Sequence, residues 1–266
     1  MEEAVEQLEE KIKMIKTRDL DVTYTIIYVI KNKVKYYTKD KLVSNYVYSF
    51  MGINNLGFRT LIDIKLERKN DNHFWLDIFE SFKSRGVKNI LFMSIENNNK
   101  ISRALKISFP NTIITLSLTN IIQSIYKFVD CRGRNVLIKQ IKNLCIQESL
   151  SDFEDKIKVF KEQYKNNYIM STIIENNISK FKDYYKYSVN IRKFLFNHNR
   201  ISDLYDMINK YSKANYINHV NDLWNYLYDD IVYIEEYKSY SKKNWTGVLN
   251  DLYLLFPNYL EYLIEE

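Results

Sequence analysis

The chain has 266 residues, 46% hydrophobic and 27% charged, with five Gly and two Pro, enough for one large or two small buried cores and too little Gly and Pro for long flexible linkers. No run of about 18 apolar residues is present to span a bilayer, the acidic start Met1-Glu2-Glu3 is unlike a secretory leader, and Cys131 and Cys145 make neither a zinc knuckle nor a disulfide framework, which fits a reducing cytoplasm. The net charge of +6 is uneven, with 17 Lys and Arg against 10 Asp and Glu in residues 120–220 and 22 against 23 elsewhere; such an excess fits either a polyanion partner or a solvated Lys-rich surface.

Residues 1–18 read as an amphipathic helix, with Val5, Leu8, Ile12 and Ile15 on one stripe. Residues 23–30 are β-branched and aromatic, the composition of a strand buried on both faces. Residues 45–53 and 58–66 read as two more strands, joined by Asn54-Asn55-Leu56-Gly57, whose Asn and Gly tolerate the positive φ of a tight turn. The period then changes to 3.6: Phe74, Trp75, Ile78, Phe79 and Phe82 share one helical face, and Arg85-Gly86 ends that helix. A fourth strand over 88–95, a helix over about 100–108 that stops before Pro110, and a fifth strand over 112–118 follow, after which the chain reads as helical almost to its end. Three antiparallel strands, helix, strand, helix, strand is the order of a ribonuclease-H-like α/β fold with a mixed five-stranded sheet. The expected organisation is an N-terminal helix at 1–18, core strands and helices at 19–131, a helical insertion at 132–195, and C-terminal helices at 196–266 that complete the core.

Several segments, in order, resemble the mutator-family transposases of bacterial insertion sequences. These are Met51-Gly52-Ile53-Asn54 with Gly57-Phe58-Arg59, His73-Phe74-Trp75-Leu76 followed by Lys83-Ser84-Arg85-Gly86-Val87-Lys88, Ala104-Leu105 with Phe109-Pro110, Ile191-Arg192-Lys193 with Asn199 and Ile201, and Lys243-Asn244-Trp245 through Asn250 and Phe256. The resemblance runs from about Arg18 to Leu260. It implies a ribonuclease-H-like core in which two Asp and one Glu hold two Mg²⁺ ions about 3.5–4 Å apart, activating a nucleophile and stabilising a leaving oxygen in DNA strand transfer. The family also places DNA-binding helices ahead of its core. Only residues 1–18 precede the core here, so a chain without that region is expected.

The carboxylate positions depart from the family pattern. Thr25 stands where the first Asp is expected, Glu96 where the second is, and Ser202 where the Glu is; the family's Cys-x-x-His is matched by Ser117 and Asn120. Hard cations need anionic oxygen, so a catalytically inactive chain with no metal or other cofactor is expected. The alternative is retained strand transfer with Mg²⁺ and with Asp203 or Asp206 as displaced ligand. The expected partner is double-stranded DNA, met by Lys127, Arg132, Arg134, Lys139, Lys142, Arg192, Lys193 and Arg200. Another copy of the chain or an intact transposase is an alternative partner. Tyr184, Tyr185 and Tyr187 read as base-stacking or packing residues.

Overall fold

Among the described residues, five strands form one sheet in the order β3-β2-β1-β4-β5. The computed structural model describes residues 13–38, 41–67, 73–95, 98–118, 121–122, 131–196 and 245–257. They are β1 (Thr23–Thr38), β2 (Lys41–Asn54), β3 (Arg59–Glu67), β4 (Asn89–Ile95) and β5 (Ile113–Leu116). β2 is antiparallel to both β1 and β3, and β4 runs parallel to β1, the arrangement of a ribonuclease-H-like sheet. The chain divides into two compact units, which among the described residues comprise 13–115 and 116–196 with 245–257.

In the first unit, α1 (Phe74–Ser84) lays Trp75, Ile78, Phe79 and Phe82 onto the sheet. Trp75 stands edge-on to Tyr48 with centroids 4.7 Å apart, and Phe82 meets Phe50 at 5.3 Å. Such pairs add about 0.5–1.5 kcal/mol each beyond the area they bury. Gly52 leaves room for the core: a Cβ there would lie 2.5 Å from the Tyr24 ring and 2.7 Å from Ile62 Cδ1. The β2–β3 turn is built on Asn54, whose Oδ1 accepts from the backbone N–H of Leu56 (3.1 Å) and Phe58 (2.8 Å). Helix α2 (Asn99–Ser108) begins at Asn98, whose side chain accepts from Lys100 N, and stops before Pro110.

Arg85 and Gly86 do more than end α1. Gly86 takes a φ of 107°, closed to most L-residues. The buried Arg85 guanidinium donates to the carbonyls of Ile15 (2.6 Å), Arg18 (2.9 Å) and Ile62 (3.0 Å) and lies 3.9 Å from the buried Asp63 carboxylate. It therefore satisfies the last carbonyls of the helical turn at 13–17 and ties that segment to β3. The rest of the expected N-terminal helix lies outside the described residues.

In the second unit, α3 (Cys131–Cys145), α4 (Leu150–Gln163), α5 (Tyr168–Asn176), a 3₁₀ segment (Ile178–Tyr184), α6 (Val189–Leu195) and α7 (Trp245–Leu255) pack around Phe153, Phe160, Phe181 and Phe194. Ser149 and Asp152 form a reciprocal capping box at the start of α4. Trp245 meets Phe194 at 5.3 Å, and Asp251 accepts from Ser188 and Asn190, so α7 is fixed to the start and core face of α6. No helix among the described residues is long and apolar enough to cross a membrane.

Candidate catalytic and nucleic-acid sites

Of the three positions matched to the catalytic carboxylates, Thr25 is described; Glu96 and Ser202, with Asp203 and Asp206, lie outside the described residues. Thr25 is fully buried. It sits at a break in register between β1 and β2, where Tyr24 pairs with Asn54 and Ile26 with Ile53, so it is the extra residue of a β-bulge. Its Oγ1 donates to the Asn54 carbonyl at 3.2 Å. On the other side, Thr25 lies between the Tyr24–Ile90 and Ile26–Phe92 pairs of the parallel ladder, while β4 continues to Ile95. At about 3.3 Å per residue, Thr25 is roughly 13 Å short of the end of β4.

No carboxylate is available on this strand in any register, because β1 contains neither Asp nor Glu from Thr23 to Thr38. The nearby acid, Asp21, precedes the strand and accepts from Asn54 Nδ2 at 3.3 Å, which makes it an anchor of the turn. Asp63 is buried on β3, separated from β4 by β2 and β1, and faces Lys65 at 3.1 Å as well as Arg85. A divalent ion needs anionic oxygen. The Thr25 hydroxyl, already donating to a carbonyl, does not fit that requirement, and neither do its neighbours on β1. Ser117, the counterpart of the family's Cys, is buried, and Asn120 is outside the described residues.

The expected basic surface is partly described. Lys139 on α3 and Lys193 on α6 are exposed, and Lys142 is half-buried, its ammonium pushed below the ordinary lysine value by that burial. Arg132 and Arg134 fall on α3, their side chains outside the description, as are Lys127 and Arg200 altogether.

Arg192 must be removed from that surface. Its side chain is buried, and the guanidinium donates to the carbonyls of Gln147 (2.7 Å), Tyr187 (3.2 Å) and Glu148 (3.3 Å). It also stacks 3.9 Å over the Tyr185 ring. Arg192 thus supplies the donors that the chain between α3 and α4 lacks, the task Arg85 performs in the other unit. The tyrosines are packing residues: Tyr184 Oη accepts from the Leu116 N–H, Tyr185 Oη donates to the Leu144 carbonyl, both at 2.7 Å, and Tyr187 is buried. Burial pushes the Tyr184 and Tyr185 phenols up to about 12. Sequence reading missed the structural role of both arginines; an Arg beside a Gly at a helix end is a signal only for Arg85.

The description "Transposase, Mutator family" belongs to a family model that matches residues 2–219. The chain belongs to the mutator family of transposases. Among its relatives are a probable transposase for insertion sequence element ISRM3-like from Sinorhizobium fredii, 20% identical over 60% of this chain and 40% of that protein, and the transposase for ISRM3 from Rhizobium meliloti, 20% identical over 55% and 37%. The transposase for IS1201 from Lactobacillus helveticus is 21% identical over 62% and 45%. This mutator-family chain therefore spans less than half the length of these curated relatives.

Proposed function

We propose that this mutator-family chain binds duplex DNA and does not cut it. The observation that carries the reading is the carboxylate-free first strand, with the matched residue Thr25 buried and its hydroxyl committed to Asn54. Two-metal strand transfer needs anionic ligands on the first strand to hold both ions, and losing one electrostatic contributor of a reaction centre commonly costs about 10²–10³ in rate. The DNA-binding part rests on the family, on the basic excess in residues 120–220, and on exposed Lys139 and Lys193.

The test is fluorescence anisotropy with a random-sequence duplex of about 25 base pairs, read from low to moderate salt. The account expects affinity to fall steeply with salt, because each neutralised phosphate releases counterions. It also expects Lys139→Glu with Lys193→Glu to weaken binding and flatten the salt slope. Absence of binding at low salt would overturn the reading in favour of a scaffold that pairs with an intact transposase. Calorimetric titration with Mg²⁺ is expected to give no two-ion binding isotherm.

A further inference from the structure

β1 and β2 run on together after their neighbours stop. The ladder between β4 and β1 ends at Tyr28, and that between β2 and β3 reaches only Tyr46, whereas β1 and β2 pair as far as Thr38 with Lys41. The pleat sorts the side chains of this ribbon onto two faces. One face buries Val34 and Tyr36. The other carries Lys31, Lys33, Lys35 and Tyr37 on β1, opposite Tyr48, Tyr46, Ser44 and Leu42 on β2. Lys33 and Lys35 are exposed, and Tyr37, Tyr46 and Leu42 are 37%, 38% and 45% exposed. The Lys31 ammonium stands 4.3 Å over the Tyr46 ring.

Opposite charges are the usual cross-strand complement of such lysines. Among the described residues neither β1 nor β2 contains an Asp or Glu, and Lys33 and Lys35 face Tyr46 and Ser44; the acid on this face is Glu67 of β3, which pairs with Tyr46 and accepts from Tyr48 Oη. The result is a row of positive charges about 6.8 Å apart, two residues per step, on the face of the ribbon that Val34 and Tyr36 do not occupy.

We infer that this face of the β1–β2 ribbon docks on the phosphate backbone of duplex DNA, with Lys33 and Lys35 as its principal contacts. The inference rests on the DNA-binding reading for the identity of the polyanion, and it assigns the contact to the α/β unit, apart from the basic stretch of the helical one. Lysines on a ribbon also discourage edge-to-edge strand pairing. Charge reversal separates the two roles, since glutamate guards an edge as well as lysine does but repels phosphate.

The experiment uses the full chain and the same 25-base-pair duplex. Lys33→Glu with Lys35→Glu is expected to lower affinity about tenfold or more near 0.1 M salt and to reduce the salt slope by about two. Lys33→Arg with Lys35→Arg is expected to bind as the natural chain does. Circular dichroism monitors folding, and Lys33→Gln with Lys35→Gln provides a milder variant if the reversal unfolds. Natural affinity and slope in both the Glu and Gln variants would overturn this inference while leaving the DNA-binding reading standing. A natural chain that fails to bind at low salt would overturn both. Duplex binding kept, with loss of binding only to phosphatidylserine vesicles, would assign the face to a membrane surface and overturn the inference too.

Discussion

The corner that follows α1 and the first strand β1 belong to the same unit, and both match the mutator family, but in different ways. At the corner the matching residues do the work of folding. Trp75 and Phe82 fill the core against β2, Arg85 gathers three main-chain carbonyls, and Gly86 takes a φ of 107°. On β1 the match is in shape only. The strand pairs with β2 and β4 as the fold requires, but it is made of Thr, Tyr, Ile, Val, Lys and Asn and offers no anionic oxygen. The difference teaches that a family signature holds two kinds of residue. Those that build the sheet act through packing and main-chain hydrogen bonds, which require no metal. Those proposed to hold ions act through anionic oxygen instead, and β1 offers none while it keeps its pairing with β2 and β4.

Removing the corner's arginine should have the largest effect. Arg85→Ala leaves three main-chain carbonyls without that donor and removes a positive charge 3.9 Å from Asp63, which keeps Lys65, and is expected to cost about 3–5 kcal/mol, read as a lower urea midpoint. A change below about 1 kcal/mol would break the claim that the corner is a structural keystone. Arg192→Ala is expected to cost about 3 kcal/mol by the same mechanism, with the DNA affinity and salt slope of the folded fraction unchanged. A lower salt slope with unaltered stability would return Arg192 to the DNA surface. Gly52→Ala should cost about 1–3 kcal/mol, because its new Cβ overlaps the Tyr24 ring and the tightly packed sheet must shift.

Thr25→Val should have the smallest effect, at about 1 kcal/mol, since it removes the bond to the Asn54 carbonyl while that carbonyl still accepts from Gly57 N. The same substitution should leave DNA affinity unchanged. A tenfold loss of affinity in this variant would mean that Thr25 serves a functional site and would blur the contrast with the corner.

Much of the sheet was legible in the residues. The five strands, the Asn54–Gly57 turn and the helix at 74–84 follow from period, turn chemistry and capping, and Gly57 takes the expected positive φ of 85°. The far half of β1 was not read as strand, because Lys31, Lys33 and Lys35 look like a solvated loop unless their alternation with Val34 and Tyr36 is counted. The charge tally hid the same feature, since a nearly neutral total outside 120–220 averages a basic face with acids elsewhere. Arg192 was misread because an arginine's burial depends on carbonyls 44 to 47 residues away, which no local pattern reveals. The resemblance located Thr25 in the motif, but only the strand ladders give its depth and its distance from the end of β4.

The central claim is that the first strand cannot hold a catalytic ion pair. Its most direct test is nicking of supercoiled plasmid by the natural chain in Mg²⁺ and in Mn²⁺, with Glu96→Ala as control. The account predicts no metal-dependent conversion to open-circular or linear DNA in either metal, and no difference between the two proteins. Robust Mn²⁺-dependent nicking that Glu96→Ala abolishes would contradict it, and would direct attention to Asp203 and Asp206 as displaced ligands.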